Sequence, residues 1–259
     1  GLALLAGLLL IGNTVGSFAM GEVLAAGEAI RASEHYPLIL ALVLLGAFTK
    51  SAQFPFHFWL PHAMAAPTPV SAFLHSATMV KAGVFLMARL TPALGDSQLW
   101  AVVLSLVGLT TMLYAAWFAL LQRDLKGILA FSTVSHLGLI TLLLGLGSPL
   151  AIVAAVFHIL NHATFKAALF MSVGIIDHET GTRDIDRLGA LWSMMPLTGT
   201  MVILAGSAMA GFPPFNGFLS KEMLFEQSLA NGVLGALSGL IPLLVTVAAT
   251  LSVAYSVRL

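Results

Sequence analysis

Long apolar runs, separated by short polar or Pro/Gly-rich punctuation, make up almost the whole chain. A helix needs about 20 mainly apolar residues to cross a bilayer core. Eight stretches fit that description: residues 1–19, 37–62, 68–90, 98–120, 126–147, 150–176, 191–228 and 232–257. Their length and their lack of two-residue alternation exclude the strands of a membrane β-barrel. The pattern predicts an all-α polytopic membrane protein. No extended linker or low-complexity segment divides the runs, so residues 1–259 read as one transmembrane domain.

Composition agrees. The chain is 59% hydrophobic and 8% charged, whereas a soluble domain has roughly 25% charged residues. Eleven basic and eleven acidic residues cancel, which leaves no basic face for nucleic acid. The absence of cysteine excludes disulfides and thiolate metal sites. The apolar opening Gly1 to Ile11 has no initiator Met, basic n-region or A-x-A site, so it reads as the tail of a span in a longer protein rather than a signal peptide. Tyr255 to Leu259 likewise reads as a cut edge. Arg123, Lys126, Arg183, Arg187 and Arg258 fall on one side of the predicted spans, against Arg31 and Arg89 among acidic residues on the other. The positive-inside rule therefore places the 177–190 loop in the cytoplasm and the 20–36 loop outside the cell inner (plasma) membrane.

Two runs are interrupted in the same way: 37–62 carries Pro55 and Pro61, and 191–228 carries Gly211-Phe212-Pro213-Pro214. Proline removes a backbone donor and breaks a helix. Freed backbone groups at membrane depth are tolerated only beside protein or water, and paired interruptions point to a transporter's binding region. An ordinary kink is the alternative. Each interruption has a lysine within two turns.

Four lysines lie inside predicted spans: Lys50, Lys81, Lys166 and Lys221. Each costs roughly 2.5–3.5 kcal/mol at a helix centre if charged and unpaired, so they are expected to be paired, hydrated or neutral. Snorkelling to the interface is the alternative for Lys81 and Lys221. The densest group is His158-Ile159-Leu160-Asn161-His162-Ala163-Thr164-Phe165-Lys166, where spacing of four puts both imidazoles and the ammonium on one helix face. Successive members stand about 6 Å apart along the axis, beyond direct hydrogen bonding, so water is expected to bridge them. Histidine suits a proton path because it titrates near neutrality and has two ring nitrogens. A metal site is a rival reading of the two histidines, but no Cys, Asp or Glu shares their face. His75, Ser76 and Thr78, then Ser132, Ser135 and His136, extend the polar line, and Lys126 stands at the expected cytoplasmic edge. Phe54, Phe56, Phe58 and Trp59 read as packing around an interruption. No nucleophile–base pair or cofactor loop is present, so neither an enzyme nor a bound cofactor is expected.

At these residues the sequence resembles the antiporter-like membrane subunits shared by respiratory complex I and the Mrp-type Na+/H+ antiporters. The resemblance rests on Thr49-Lys50-Ser51-Ala52-Gln53-Phe54-Pro55, Pro67 through Val80, His158 to Lys166, and Gly211-Phe212-Pro213-Pro214 through Ser220-Lys221-Glu222. Lys81 and the loop Gly174 to Asp184 are most similar to the large A-type subunits of the Mrp antiporters. The resemblance implies two inverted five-helix repeats, represented here by parts at roughly 1–92 and 93–259, each with a broken helix. It implies proton-transfer roles for Lys50, His75, Lys81, Lys126, His158, His162, Lys166 and Lys221. Pro55, Pro61, Pro213 and Pro214 mark the breaks, and Ser76, Thr78, Ser132, Ser135, His136 and Glu222 support the line. The family pairs its first lysine with a glutamate on an earlier helix; no acidic residue lies inside a predicted span before Lys50, so the chain is expected to cover helices six to thirteen of a longer protein.

The implied function is proton translocation within a multisubunit cation/proton antiporter, with other membrane subunits as partners and H+ and Na+ as ions, K+ remaining open. Glu222, Glu226, hydroxyls and carbonyls offer few ligands for sodium, so its site is expected elsewhere. One rival is a proton-pumping subunit of complex I or a membrane-bound hydrogenase; another is a non-conducting membrane scaffold.

Overall fold

The computed structural model describes residues 1–235 and 238–259. Helices α1 (Leu2–Val15), α2 (Met20–Ala25), α3 (Gly27–Ala32), α4 (Tyr36–Lys50), α5 (Trp59–His62), α6 (Thr68–Ser76) and α7 (Lys81–Leu94) come first. They are followed by α8 (Gln98–Leu121), α9 (Leu125–Leu146), α10 (Pro149–Thr180), α11 (Leu191–Met194), α12 (Pro196–Ala210), α13 (Asn216–Ala230) and α14 (Leu240–Val257). Among the described residues the only extended pairing is an isolated bridge between Asp124 and Asp184.

Five helical runs, Thr68–Leu94, Gln98–Leu121, Leu125–Leu146, Pro149–Thr180 and Leu240–Val257, are long and apolar enough to cross a membrane. The protein is thus an all-helical, multi-pass membrane protein. The remaining three of the eight predicted runs hold shorter apolar helices, Leu2–Val15, Tyr36–Lys50 and Pro196–Ala210; the last two belong to the runs with predicted interruptions. The stops have local causes. Helix α1 ends on Gly16 with φ of 79°, and α12 ends on Gly211 with φ of 80°, just before Pro213. Helix α4 ends at Lys50, ahead of Ala52 with φ of 48° and Pro55; left-handed backbone and proline both end a helix. A further interruption, not foreseen from the sequence, separates α6 from α7 at residues 77–80.

Helix α9 is the centre of the bundle. Nearly all of its side chains are buried, polar ones included, and it packs on α8, α10, α7, α5, α13 and α14. A helix without a solvent or lipid face belongs in the middle. Its contact with α8 is the most extensive in the chain and depends on two glycines. A Cβ on Gly108 would stand 2.4 Å from the Leu142 backbone nitrogen, and one on Gly138 2.6 Å from that of Met112. The two backbones touch where any side chain would part them.

At the α8–α9 corner the loop after α10 is clamped by backbone and charge. Leu125 N–H donates to the Arg183 carbonyl and Ile185 N–H to the Arg123 carbonyl, both at 3.0 Å. Arg183 Nε lies 3.1 Å from Asp124 Oδ2, and Lys126 Nζ, on a side chain only 4% exposed, lies 3.7 Å from Asp177 Oδ2.

Replacing Gly138 with Leu should lower the stability of the purified complex by about 1–3 kcal/mol or more, through overpacking. Thermal unfolding in detergent reads this, with Gly21→Leu, where nothing stands within 4 Å, as the unaffected control. Asp177→Asn should cost about 1–3 kcal/mol by leaving the buried Lys126 without its carboxylate, and adding Lys126→Gln should recover part of that loss.

Candidate functional site

The interruptions create the first half of the site. The last carbonyls of a helix have no N–H partner within it, and two buried lysines take up such carbonyls. Lys81, the first residue of α7, donates from Nζ to the His75 carbonyl at 3.0 Å and to the Ser76 carbonyl, at the end of α6. Lys221 on α13 donates to the Met209 and Ala210 carbonyls at the end of α12, at 2.9 and 2.8 Å, and to Ser252 Oγ of α14 at 3.0 Å. A cation at a helix C-terminus also meets the negative end of its dipole. Lys81 and Lys221 are 4% and 8% exposed, so neither snorkels. Lys166 has no helix end to cap; from the middle of α10 it reaches the Leu129 carbonyl at 3.0 Å and Ser132 Oγ, both on α9.

The histidines form the second half, with His136 of α9 at the junction. Its Nδ1 lies 2.9 Å from Nε2 of His158, whose Nδ1 lies 2.8 Å from Ser220 Oγ of α13. The Tyr255 hydroxyl of α14 is 3.3 Å from His136 Nε2. Four helices thus contribute to one hydrogen-bonded row: Ser220, His158, His136, Tyr255. His158 thus finds a direct partner on the next helix, whereas along α10 itself no hydrogen bond joins His158, His162 and Lys166 among the described residues. His162 sits beside the row, with its ring centroid 5.3 Å from that of His136. Both ring nitrogens of His162 and of His75 are buried without a hydrogen-bond partner among the described residues; such groups call for water or a partner that moves in. A cavity of about 20 Å³, lined by Ser135, His136, Lys221, Ser252 and Tyr255 together with apolar side chains, has room for about one water. Reciprocal bonds between Asn161 and Asn216, at 3.0 and 3.1 Å, tie α10 to the start of α13.

Other predicted site residues lie apart from this row. Lys50 is exposed at the end of α4 and has no hydrogen bond or ion pair among the described residues. Lys126 belongs to the corner clamp. Glu222 is exposed, Thr78 bonds the Phe73 carbonyl within the α6–α7 interruption, and Ser76 bonds the Ala72 carbonyl. Ser135 bonds the Met112 carbonyl across the α8–α9 contact. Pro55, Pro213 and Pro214 are exposed and Pro61 partly so. Trp59 Nε1 donates to the Thr49 carbonyl at 2.9 Å, holding α5 against the end of α4. The sequence reading missed Tyr255, Ser252, Ser220 and Asn161. The three- and four-residue spacings within α14 and α10 were the available signals, but hydroxyls and amides in apolar helices are too common to single out.

The arrangement buries three amines on neutral oxygens and joins two imidazoles to each other, to a serine and to a tyrosine. Such groups can take up and release protons without covalent chemistry.

Residues 1–247 match the family described as NADH:quinone oxidoreductase/Mrp antiporter, TM. A probable A/B-type K+/H+ antiporter subunit of Rhizobium meliloti is 61% identical over 258 residues, covering 100% of this chain and 26% of that protein. The A-type Na+/H+ antiporter subunit of Alkalihalophilus pseudofirmus is 55% identical over 243 residues, covering 88% of this chain and 30% of that protein. A chain in the Mrp complex of Dietzia sp. superposes with a TM-score of 0.93 at 44% identity, over 99% of this chain and 28% of that one. A chain of an archaeal membrane-bound sulfane sulfur reductase gives 0.84 at 30% identity, over 99% and 52%. The chain spans about a quarter to a third of the length of these antiporter relatives. By a family match that runs through all but its last helical turns, this chain belongs to the NADH:quinone oxidoreductase/Mrp antiporter membrane family, with A-type Na+/H+ antiporter subunits among its relatives.

Proposed function

We propose that this chain is the proton-translocating part of the A-type subunit of a multisubunit cation/proton antiporter, exchanging H+ for Na+ or K+. The observation that carries the reading is the buried path in which Lys166, His158, His136 and Lys221 sit on carbonyls, hydroxyls and each other. Ionisable groups at membrane depth are costly and mark ion or proton routes. The relatives named as antiporter subunits favour a secondary transporter over a redox-driven pump, their identities of 61% and 55% exceeding the 30% to the respiratory complex.

In this reading residues 1–259 form one antiporter-like domain holding parts of two inverted repeats, roughly 1–92 and 93–259. The stops at Lys50 and Gly211 are its two broken transmembrane helices. Support comes from the likeness of the two stops, each followed by prolines, and from Lys221, which takes up the Met209 and Ala210 carbonyls at the second. Lys50, Lys126, His75, Lys81 and His162 serve as further proton stations. The 177–190 loop faces the cytoplasm, the 20–36 loop faces outward, and other membrane subunits cover part of the surface.

Lys166→Ala, Lys221→Ala and Lys50→Ala should each lower cation-driven pH change in everted vesicles by more than about tenfold, with the complex still assembled. Wild-type exchange in the Lys166 and Lys221 variants would overturn the proposal.

A further inference from the structure

Donor and acceptor counting along the histidine row leads to a residue outside the predicted site. Ser220 Oγ–H donates to the Gly217 carbonyl at 3.1 Å, so its oxygen accepts from His158 Nδ1–H at 2.8 Å. A neutral imidazole carries one proton, which leaves His158 Nε2 as an acceptor. The proton in the 2.9 Å contact between the rings must then come from His136 Nδ1. His136 Nε2 is in turn an acceptor, and the group facing it is the Tyr255 hydroxyl at 3.3 Å. Both histidines are thus set as Nδ1–H tautomers, with Tyr255 donating into the row.

Behind Tyr255 stands Lys221. Its Nζ donates to Ser252 Oγ at 3.0 Å, and Ser252 lies three residues before Tyr255, on the same face of α14. Lys221, Ser252, Tyr255, His136 and Ser135 line a single shared cavity of about 20 Å³. Tyr255 is fully buried and Ser252 5% exposed. The hydroxyl of Tyr255 is therefore the link between an amine held on the end of α12 and an imidazole pair shared by α9 and α10.

We infer that Tyr255 is the relay and positioning residue through which Lys221 exchanges protons with the His136–His158 pair. The inference rests on the proton-path reading above and adds a specific step to it. An N–H bond of the Lys221 ammonium breaks, and its proton passes through Ser252, with one water in the cavity, to the Tyr255 oxygen. The Tyr255 proton moves to His136 Nε2. His136 releases its Nδ1 proton to His158 Nε2. Lys221 ends as an amine and His158 as an imidazolium whose Nδ1–H stays on Ser220, while Tyr255 regains its hydroxyl and His136 changes tautomer. One bond to hydrogen breaks and one forms at each link, with no net charge created.

The test is Tyr255→Phe in the full-length protein within its assembled complex, which keeps the ring and removes only the hydroxyl. Exchange in everted vesicles should fall roughly five- to tenfold, the equivalent of one lost hydrogen bond, and Ser252→Ala should act in the same direction. Nitrogen-15 solid-state spectra of labelled histidine should show His136 as the Nδ1–H tautomer in the wild type and a rise of Nε2–H in Tyr255→Phe, a change that a purely structural role would not produce. Wild-type exchange with an unchanged tautomer signal in Tyr255→Phe overturns the inference, and means that water joins Lys221 to His136 without the phenol. Should that happen while Lys166→Ala and Lys221→Ala lose exchange, only the role of Tyr255 falls; normal exchange in the lysine variants removes the proton path itself.

Discussion

A peptide carbonyl cannot be left unpaired at membrane depth, and the polar interior of this bundle follows from that constraint. Helices α6 and α12 stop inside the bundle, where their last carbonyls have no N–H to accept from. Lys81 and Lys221 supply the missing donors. The same contacts settle the lysines, which would otherwise be costly guests in a low-dielectric interior. Interrupted helix and buried amine each remove the other's penalty. A leucine at position 221 would leave the Met209 and Ala210 carbonyls without this donor, and an uninterrupted helix would leave Lys221 without its seat.

The partners are neutral, and that matters chemically. Among the buried lysines of the inner set, Lys81, Lys166 and Lys221 meet carbonyls and hydroxyls, whereas Lys126 at the corner meets the carboxylate of Asp177. Carbonyl and hydroxyl oxygens accept from the ammonium and from the neutral amine alike in kind, more strongly from the ammonium, and a serine can also turn its own hydrogen toward the amine. The inner set sits on neutral oxygens alone, and the corner pair ties the loop after α10 to the start of α9.

Packing brings these separate groups close together. Because Gly108 and Gly138 let α8 and α9 touch backbone to backbone, α9 sits deep enough to be enclosed on all sides. From there it offers Ser132 to Lys166 and His136 to His158. A central helix that is apolar all round except for these few groups gives the row a fixed seat and few ways to relax. Asn161 and Asn216 fix the third wall by tying α10 to α13.

The membrane class, the helical runs and the candidate lysines and histidines were legible from residue order, because burial in lipid imposes runs of apolar residues and makes each intramembrane charge stand out. The stops at Pro55 and Gly211-Phe212-Pro213-Pro214 were legible for the same local reason: proline and glycine act on their own backbone. The interruption at residues 77–80 was not, since no proline marks it, and the shortening of three runs depended on where the chain turned. Nor did spacing along α10 reveal that His158 bonds to His136 rather than onward to His162, or that Lys50 stands exposed while Lys221 is enclosed. Those outcomes depend on which helix lies beside which, and on glycines that set the distance between them. Residue order determined which ionisable side chains fall within apolar runs; tertiary packing alone decided which of them come within hydrogen-bonding distance, because that reach is about 3 Å while neighbouring helix axes lie about 8–10 Å apart.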